Sequence, residues 1–344
     1  MGRRPVRLPR AGHPLLDIHS SGRVGSGPWR PFSPAEIQQI ARTVRRTPEV
    51  MLKLTGGGTK VGAVAAHFSY ISRHGKLDIE TDDGLPVLGR DEQKEMLKNW
   101  HLERTAAHYR QPRRGKEVSR GPKMVHNIVL SMPAPTPPEK VLAAVRKFAR
   151  EHFGGRHRYA MVLHTDQAHP HVHVVVKAED EQGRRLNVDK PMLRQWREDF
   201  AQLMREQGVA ANATSRVVRG RNNGRTKVAV YRAQRRGGKN VVPTDVLPPV
   251  SARLPDAVAQ FATAKVLSTR ESVMAYWRRT AELLDAQGEI ELAGDVRYFA
   301  RQLPPVLTEK EHLPPRLARH TEASESLAQP TYGSASRRGH DLVR

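Results

Sequence analysis

Two apolar, β-rich runs, Tyr159 to His164 and His171 to Lys177, flank a short polar turn, and this pairing constrains the chain more than any other feature. Such runs read as a β-hairpin. Alternate side chains of a strand share a face. His171 and His173 therefore project together, while Val172 and Val174 project the other way, into a core. His164 ends the first run and approaches the pair across the hairpin.

Other elements are legible around this hairpin. Met51 to Leu54 reads as a strand broken by Thr55-Gly-Gly-Gly58, and Val125 to Met132 as another strand. Ser33-Pro34-Ala35-Glu36 has capping-box chemistry, with proline at the first helical position, and predicts a short helix to about Arg46. A helix from Thr59 to Ser72 carries the apolar stripe Val61, Val64, Ala65, Phe68 and Ile71. Thr136-Pro-Pro-Glu139 starts a helix that Gly154-Gly155 stops, and a further helix runs from Pro191 to Gln207. Ser268-Thr-Arg-Glu271 is expected to head a helix to Gln287. Glu289 to Leu303, stopped by Pro304-Pro305, pairs with it as a C-terminal helical hairpin.

These shifts divide the chain into a basic arm with a short helix (1–48), a main domain (49–240), a Pro-rich linker (241–262), the helical hairpin (263–312) and a tail that reads as disordered (313–344). No apolar run reaches the ~18–20 residues of a membrane span, so neither membrane insertion nor export by a cleaved signal is expected. The chain contains no cysteine, which excludes a disulfide scaffold, a zinc ribbon, an iron–sulfur cluster and a thiol nucleophile. It also fits a reducing cytoplasm.

Lysine and arginine number 58 against 35 acidic residues, a net charge of +23. Such an excess points to a polyanion, with nucleic acid the default. The densest segment, Arg216 to Asn240, holds nine basic residues and no acid. Within it Arg216, Arg219, Arg221, Arg225, Lys227, Arg235, Arg236 and Lys239 are candidate backbone-phosphate contacts.

Three imidazoles on one strand face suit a divalent ion such as Mn²⁺, Mg²⁺ or Zn²⁺, with a coordination position left for a substrate oxygen. Asp166 is placed to orient one of the rings through its second nitrogen. His169 lies in the turn as a solvated extra. Surface histidines on an ordinary hairpin are the bland alternative, and the HxxxxxxHxH spacing with flanking β-branched residues argues against it. Tyr70 points roughly 150° away from the mean of its helix's apolar stripe at 100° per residue. It sits beside Ser72, Arg73, His74 and Lys76, so Arg73 and Lys76 are further candidate DNA contacts. A phenol can attack phosphorus when the phosphate is polarised.

Leu54-Thr-Gly-Gly-Gly58, then Ala66-His-Phe-Ser-Tyr-Ile-Ser-Arg-His-Gly-Lys-Leu77, then Val129-Leu-Ser-Met-Pro133, then the run His164 to Lys177 follow in an order that resembles the relaxases of conjugative and mobilisable elements. The order is similar to that of the agrobacterial T-DNA border endonuclease type. The later stretch from Leu193 through Ala211-Asn-Ala-Thr214 to Gly220 is similar too, so the resemblance spans roughly residues 50–235. It implies an α+β fold, a central antiparallel sheet flanked by helices. It also implies a metal-dependent endonuclease and strand transferase with a His-hydrophobic-His site. Such enzymes nick one strand at an origin of transfer, keep the 5′ phosphate on a tyrosine, and rejoin the strand or accompany it through a type IV secretion system. By motif, Tyr70 would be the nucleophile and Ser131 would contact DNA near the scissile phosphate. His164, His171 and His173 would hold Mg²⁺ or Mn²⁺ with support from Asp166. The partners implied are single-stranded DNA, a relaxosome accessory protein and a type IV coupling protein. The setting implied is a bacterial cytoplasm, with passage into the recipient cell beside the DNA.

A rolling-circle replication initiator shares the histidine motif, but its tyrosine typically follows the histidines, whereas Tyr70 precedes them. A non-catalytic DNA-binding protein of a mobile element is the reading from another class. A zinc hydrolase lacks support, since no HExxH and no obvious glutamate base accompany the histidines.

The charge reading has a direct test. Affinity for a single strand should fall by roughly 0.7 in log K per log unit of salt for each phosphate neutralised. Replacing Arg235, Arg236 and Lys239 together by glutamine should flatten that slope, and an unchanged slope would remove this segment from the DNA contact.

Overall fold

Pairing of Tyr159–His164 (β5) with His171–Lys177 (β6) sets the frame, in the antiparallel register His164↔His171, Val162↔His173 and Ala160↔Val175. In the computed structural model the described residues are 30–103, 122–220 and 256–304. The architecture is α+β. Met51–Gly56 (β1), Ile79–Thr81 (β2), Pro86–Val87 (β3) and Val125–Ser131 (β4) join the hairpin in a six-stranded sheet of order β1-β4-β6-β5-β2-β3. Neighbouring strands in it run antiparallel throughout.

Alternation along the strands gives the sheet two different faces. Ile128, Leu130, Met161, Val172, Val174 and Val176 pack against Pro138–Phe153 (α4) and Lys190–Glu206 (α5), through Val145, Phe148, Trp196 and Phe200. On the opposite face Val125, Ala160, Val162 and Val175 meet Val64, Phe68 and Ile71 of Val61–Ile71 (α2) and Met96 of Gly89–Asn99 (α3). Phe68 stands edge-on to Trp100 with ring centres 5.5 Å apart, and both are fully buried. His171 and His173 lie in the row of Val175, on this second face.

The described residues divide into two compact units. One comprises Arg30–Ser215 with Ala281–Phe299, and the other draws on Arg216–Thr280 and the residues from Ala300. Pro34–Val44 (α1) begins with the expected capping box, the Glu36 carboxylate accepting from the Ser33 backbone and hydroxyl at 2.7 and 2.8 Å. Within the first unit Arg45 pairs with Asp295, and the Phe32 backbone exchanges hydrogen bonds with Gln287. In the second, the Trp277 indole donates to the Val218 carbonyl.

The C-terminal helical pair is Asp256–Ala286 (α6) and Ile290–Arg301 (α7). Here the sequence expectation needs correcting: α6 starts well before Ser268, so Ser268-Thr-Arg-Glu271 lies inside it. The Ser272 hydroxyl bonds back to the Ser268 carbonyl, an intrahelical use of the chemistry. Elements β2, β3 and α3 were not anticipated. The 1–29, 221–255 and 305–344 segments, with most of the basic run, lie outside the described residues. Among the described residues no helix is long and apolar enough to cross a membrane.

The glycine run at the end of β1 joins that strand to α2. A Cβ on Gly57 would stand 2.1 Å from the Val125 carbonyl oxygen, whereas one on Gly56 would meet nothing within 4 Å. Gly57→Ala should therefore lower stability by about 1–3 kcal/mol in urea titration. Gly56→Ala should lose far less, and equal losses would refute close packing at Gly57.

Candidate functional site

Register builds the histidine cluster. Ser131↔His171 and His164↔His171 place Ser131, His171 and His164 in one row across β4, β6 and β5, and Val129↔His173 places His173 one pleat further along. The imidazole ring centres of His164, His171 and His173 are 4.6 to 5.3 Å apart. One ring nitrogen from each lies within 4.8 Å of the others, close enough for all three to share one cation.

Hydrogen bonds to carbonyls fix which nitrogens are free. A carbonyl only accepts, so His164 donates through Nε2 to Ile71 at 2.6 Å, and His171 through Nδ1 to His169 at 3.1 Å. That leaves the Nδ1 lone pair of His164 and the Nε2 lone pair of His171 for a ligand, the support that metal-bound imidazoles commonly receive. Burial, followed by the neighbouring His164, His171, His67 and Arg73, pushes His173 down to about 3. His164 is also held below its ordinary value, chiefly by burial. Three clustered ring nitrogens, with the second nitrogens of His164 and His171 hydrogen-bonded to carbonyls, fit a divalent cation.

Helix α2 crosses this face and delivers Tyr70, which is 60% exposed while Val64, Phe68 and Ile71 of the same helix are buried. The helix ends at Ser72, and the chain turns through three left-handed residues, Arg73 (φ 52), His74 (φ 60) and Gly75 (φ 86). For the two that are not glycine this conformation costs about 1–3 kcal/mol each. The turn is held by the Ser69 hydroxyl against His74 Nδ1 at 3.1 Å and by the His74 amide donating to the Ser69 carbonyl at 2.7 Å. It carries the Arg73 guanidinium over the Tyr70 ring, 5.7 Å from its centre.

Asp166 pairs with Arg73. This differs from the expected contact with an imidazole, whose second nitrogens at His164 and His171 are satisfied by backbone carbonyls instead. Desolvation raises the Asp166 carboxyl, but Arg73 and the local hydrogen bonds outweigh it and hold it below its ordinary value. His169 lies exposed in the turn, and its Nδ1 accepts from the Ala134 amide at 3.0 Å. Ser131 is buried, its hydroxyl directed to the Met132 carbonyl at 3.4 Å.

Lys76 and Arg216 are exposed, and Arg219 is half-buried in the turn at 216–220. Arg221, Arg225, Lys227, Arg235, Arg236 and Lys239 lie outside the described residues.

One residue of this face went unnoticed in the sequence. His67, one helical turn before Tyr70, sets its ring edge-on to His173 at 6.4 Å between centres. Its Nε2 is buried without a hydrogen-bond partner, and burial holds it below its ordinary pKa. The i, i+3 spacing from Tyr70 was the available signal.

Residues 73–209 match the family described as relaxase, MobA/VirD2-like, nuclease domain. That segment contains Ser131, Asp166 and the three histidines, and begins three residues after Tyr70. T-DNA border endonuclease VirD2 of Rhizobium radiobacter is 30% identical over 187 residues, 50% of this chain and 43% of that protein. The Agrobacterium fabrum protein of the same name is 29% identical over 206 residues, 54% of this chain and 43% of its own length. The chain thus spans less than half the length of these relatives. A solved structure titled "Molecular Basis of Vancomycin Resistance Transfer in Staphylococcus aureus" aligns with 49% of this chain and 99% of that one, at 11% identity and a TM-score of 0.32.

The depressed imidazoles give the metal-free protein a pH signature. His173 titrates near 6.5 when unfolded and at about 3 when folded. Between those values the unfolded chain takes up a proton that the folded site does not. Stability from this group is complete above pH 6.5 and is lost as pH falls towards 3, by up to about 1.4 kcal/mol per pH unit. In EDTA, urea midpoints should therefore fall from neutral to acid pH more steeply for the wild type than for His173→Gln. Parallel slopes would show that His173 is not held neutral.

Proposed function

We propose that this chain, a relaxase of the MobA/VirD2-like type across residues 73–209, nicks one DNA strand at an origin of transfer and holds the cut strand on Tyr70. The observation that carries the reading is the convergence of α2 and the β5–β6 hairpin. An exposed phenol and three clustered imidazoles occupy the same face of the sheet, linked through Arg73–Asp166 and His164–Ile71.

In the proposed reaction the Tyr70 oxygen attacks the scissile phosphorus in line. A bond forms between that oxygen and phosphorus, and the bond from phosphorus to the 3′ oxygen breaks. The phenol gives up its proton and the departing 3′ oxygen takes one up, so a free 3′ hydroxyl and a 5′-phosphotyrosyl strand result. The reverse attack by a 3′ hydroxyl rejoins the strand. His164, His171 and His173 would hold a divalent ion, with Mg²⁺ or Mn²⁺ favoured for an oxygen-rich substrate. Bound there, such an ion would supply positive charge to the phosphate in the transition state. Ser131, on the histidine row, would lie beside the scissile phosphate. Arg216, Arg219 and the basic run beyond them would track the strand's phosphates. Transfer of the linked strand with a relaxosome accessory protein and a type IV coupling protein, from a bacterial cytoplasm into a recipient, completes the reading.

The test is a covalent adduct. Labelled single strands tiled across the DNA flanking the gene should yield a protein–DNA band that survives denaturation. Tyr70→Phe should abolish the band while leaving strand binding intact. EDTA should stop nicking, and Mn²⁺ or Mg²⁺ should restore it. His164→Ala, His171→Ala and His173→Ala should each cut the rate by orders of magnitude, and His169→Ala far less. A persistent adduct in Tyr70→Phe would overturn the assignment of the nucleophile.

A further inference from the structure

An exposed phenol on a helix surface is free to change rotamer, whereas attack on phosphorus requires the reacting atoms to be held about 3–3.5 Å apart and aligned. The apolar stripe of α2 does not supply that restraint, because Tyr70 points away from it. Two contacts from the histidine hairpin act on this end of the helix instead. His164 donates to the carbonyl of Ile71, the residue after Tyr70. Asp166, two residues beyond His164, holds the guanidinium that lies over the Tyr70 ring.

We infer that Arg73 and Asp166 form a clamp that positions the Tyr70 phenol. Arg73 restrains the ring directly, and Asp166 acts through Arg73 rather than through a metal-bound imidazole. The inference rests on Tyr70 as the nucleophile and gives both charged residues a role that neither DNA contact nor metal support describes. A guanidinium over an aromatic face is attracted to its negative quadrupole, and its planar fork leaves N–H groups at the edge for a carboxylate. Arg73 can therefore serve ring and carboxylate together. The carboxylate also offsets a charge that would otherwise be drawn to any passing phosphate. The left-handed turn supports the same role. It takes Arg73 off the helical path just where the hairpin turn comes within reach, and Gly75 packs there against Gly89, where a Cβ would stand 3.1 Å from the Gly89 Cα.

The experiment uses the full chain with 3-fluorotyrosine at position 70 and reads three quantities: the ¹⁹F resonance, Mn²⁺ affinity and the single-turnover rate of adduct formation. Asp166→Asn and Arg73→Gln should each shift and broaden the resonance. Each should slow adduct formation by about tenfold or more, the scale expected when a reacting group loses alignment. Mn²⁺ affinity and strand affinity should stay at the wild-type level. The double variant should be no slower than the worse single one, because both changes open the same clamp. Arg73→Lys should restore little, since an ammonium cannot bond the carboxylate and cover the ring with one planar group. Loss of Mn²⁺ affinity in Asp166→Asn with an unmoved resonance would return Asp166 to the histidines and overturn the inference. Loss of strand affinity in Arg73→Gln with an unmoved resonance would make Arg73 a phosphate contact and overturn it as well. Should the wild type form no adduct, the proposed function fails, and the resonance still decides whether the clamp exists.

Discussion

The antiparallel pairing of His164 with His171 is the constraint on which the rest depends. Side chains alternate with a period of two, so a slip of one residue in β6 would exchange its faces. Val172, Val174 and Val176 would leave the core formed with α4 and α5, and His171 and His173 would enter it. Imidazoles buried there without partners would each carry the desolvation cost of an unpaired polar group, about 1–3 kcal/mol. The valine row thus specifies the histidine row. Because β4 is registered on β6 by the same alternation, Ser131 enters the histidine row as well.

A cation bound at this site meets positive surroundings, since the chain carries +23 overall and Arg73 lies among the groups that act on His173. Burial first, and positive neighbours after it, hold His173 and His164 below their ordinary values, and a deprotonated imidazole is the form that offers a lone pair. Support for the ring positions comes from backbone carbonyls at Ile71 and His169. Carbonyls orient a ring without adding a full negative charge. Asp166 is thereby released from the histidine cluster to pair with Arg73.

The long periodic elements were legible because each carries its own signal. β5 and β6 fall on the expected residues, and α2, α4 and α5 begin and end within two residues or so of their caps. The short pieces were not legible. Ile79–Thr81 and Pro86–Val87 are too brief for alternation to register, and Gly89–Asn99 buries only Gln93 and Met96, so its apolar stripe is almost missing. Ser268-Thr-Arg-Glu271 misled because a capping box is a local pattern, and a helix already running through it needs no cap. In the site, the shared face of His171 and His173 follows from strand geometry alone. The partner of Asp166 does not, because Arg73 is 93 residues away in sequence. His67 was hidden by its place at the margin of the α2 stripe, where helix periodicity marks neither core nor surface.

The end of α2 shows why distant pieces must cooperate at this site. Had the helix continued past Ser72, Arg73 would follow Tyr70 at i+3 on the same surface and point along the helix rather than toward the hairpin. Breaking the helix with two left-handed residues that are not glycine is unfavourable locally and persists only where the surroundings over-determine it. Those surroundings are the Ser69–His74 contacts on one side, the Gly75–Gly89 approach on another, and Asp166 across the hairpin. The close packing at Gly75 in turn relies on α3, the element that the sequence did not announce. A helix with little core of its own thus braces the turn that carries Arg73 to Tyr70, and the β5–β6 hairpin, through Asp166 and His164, fixes both ends of that contact to the histidine face.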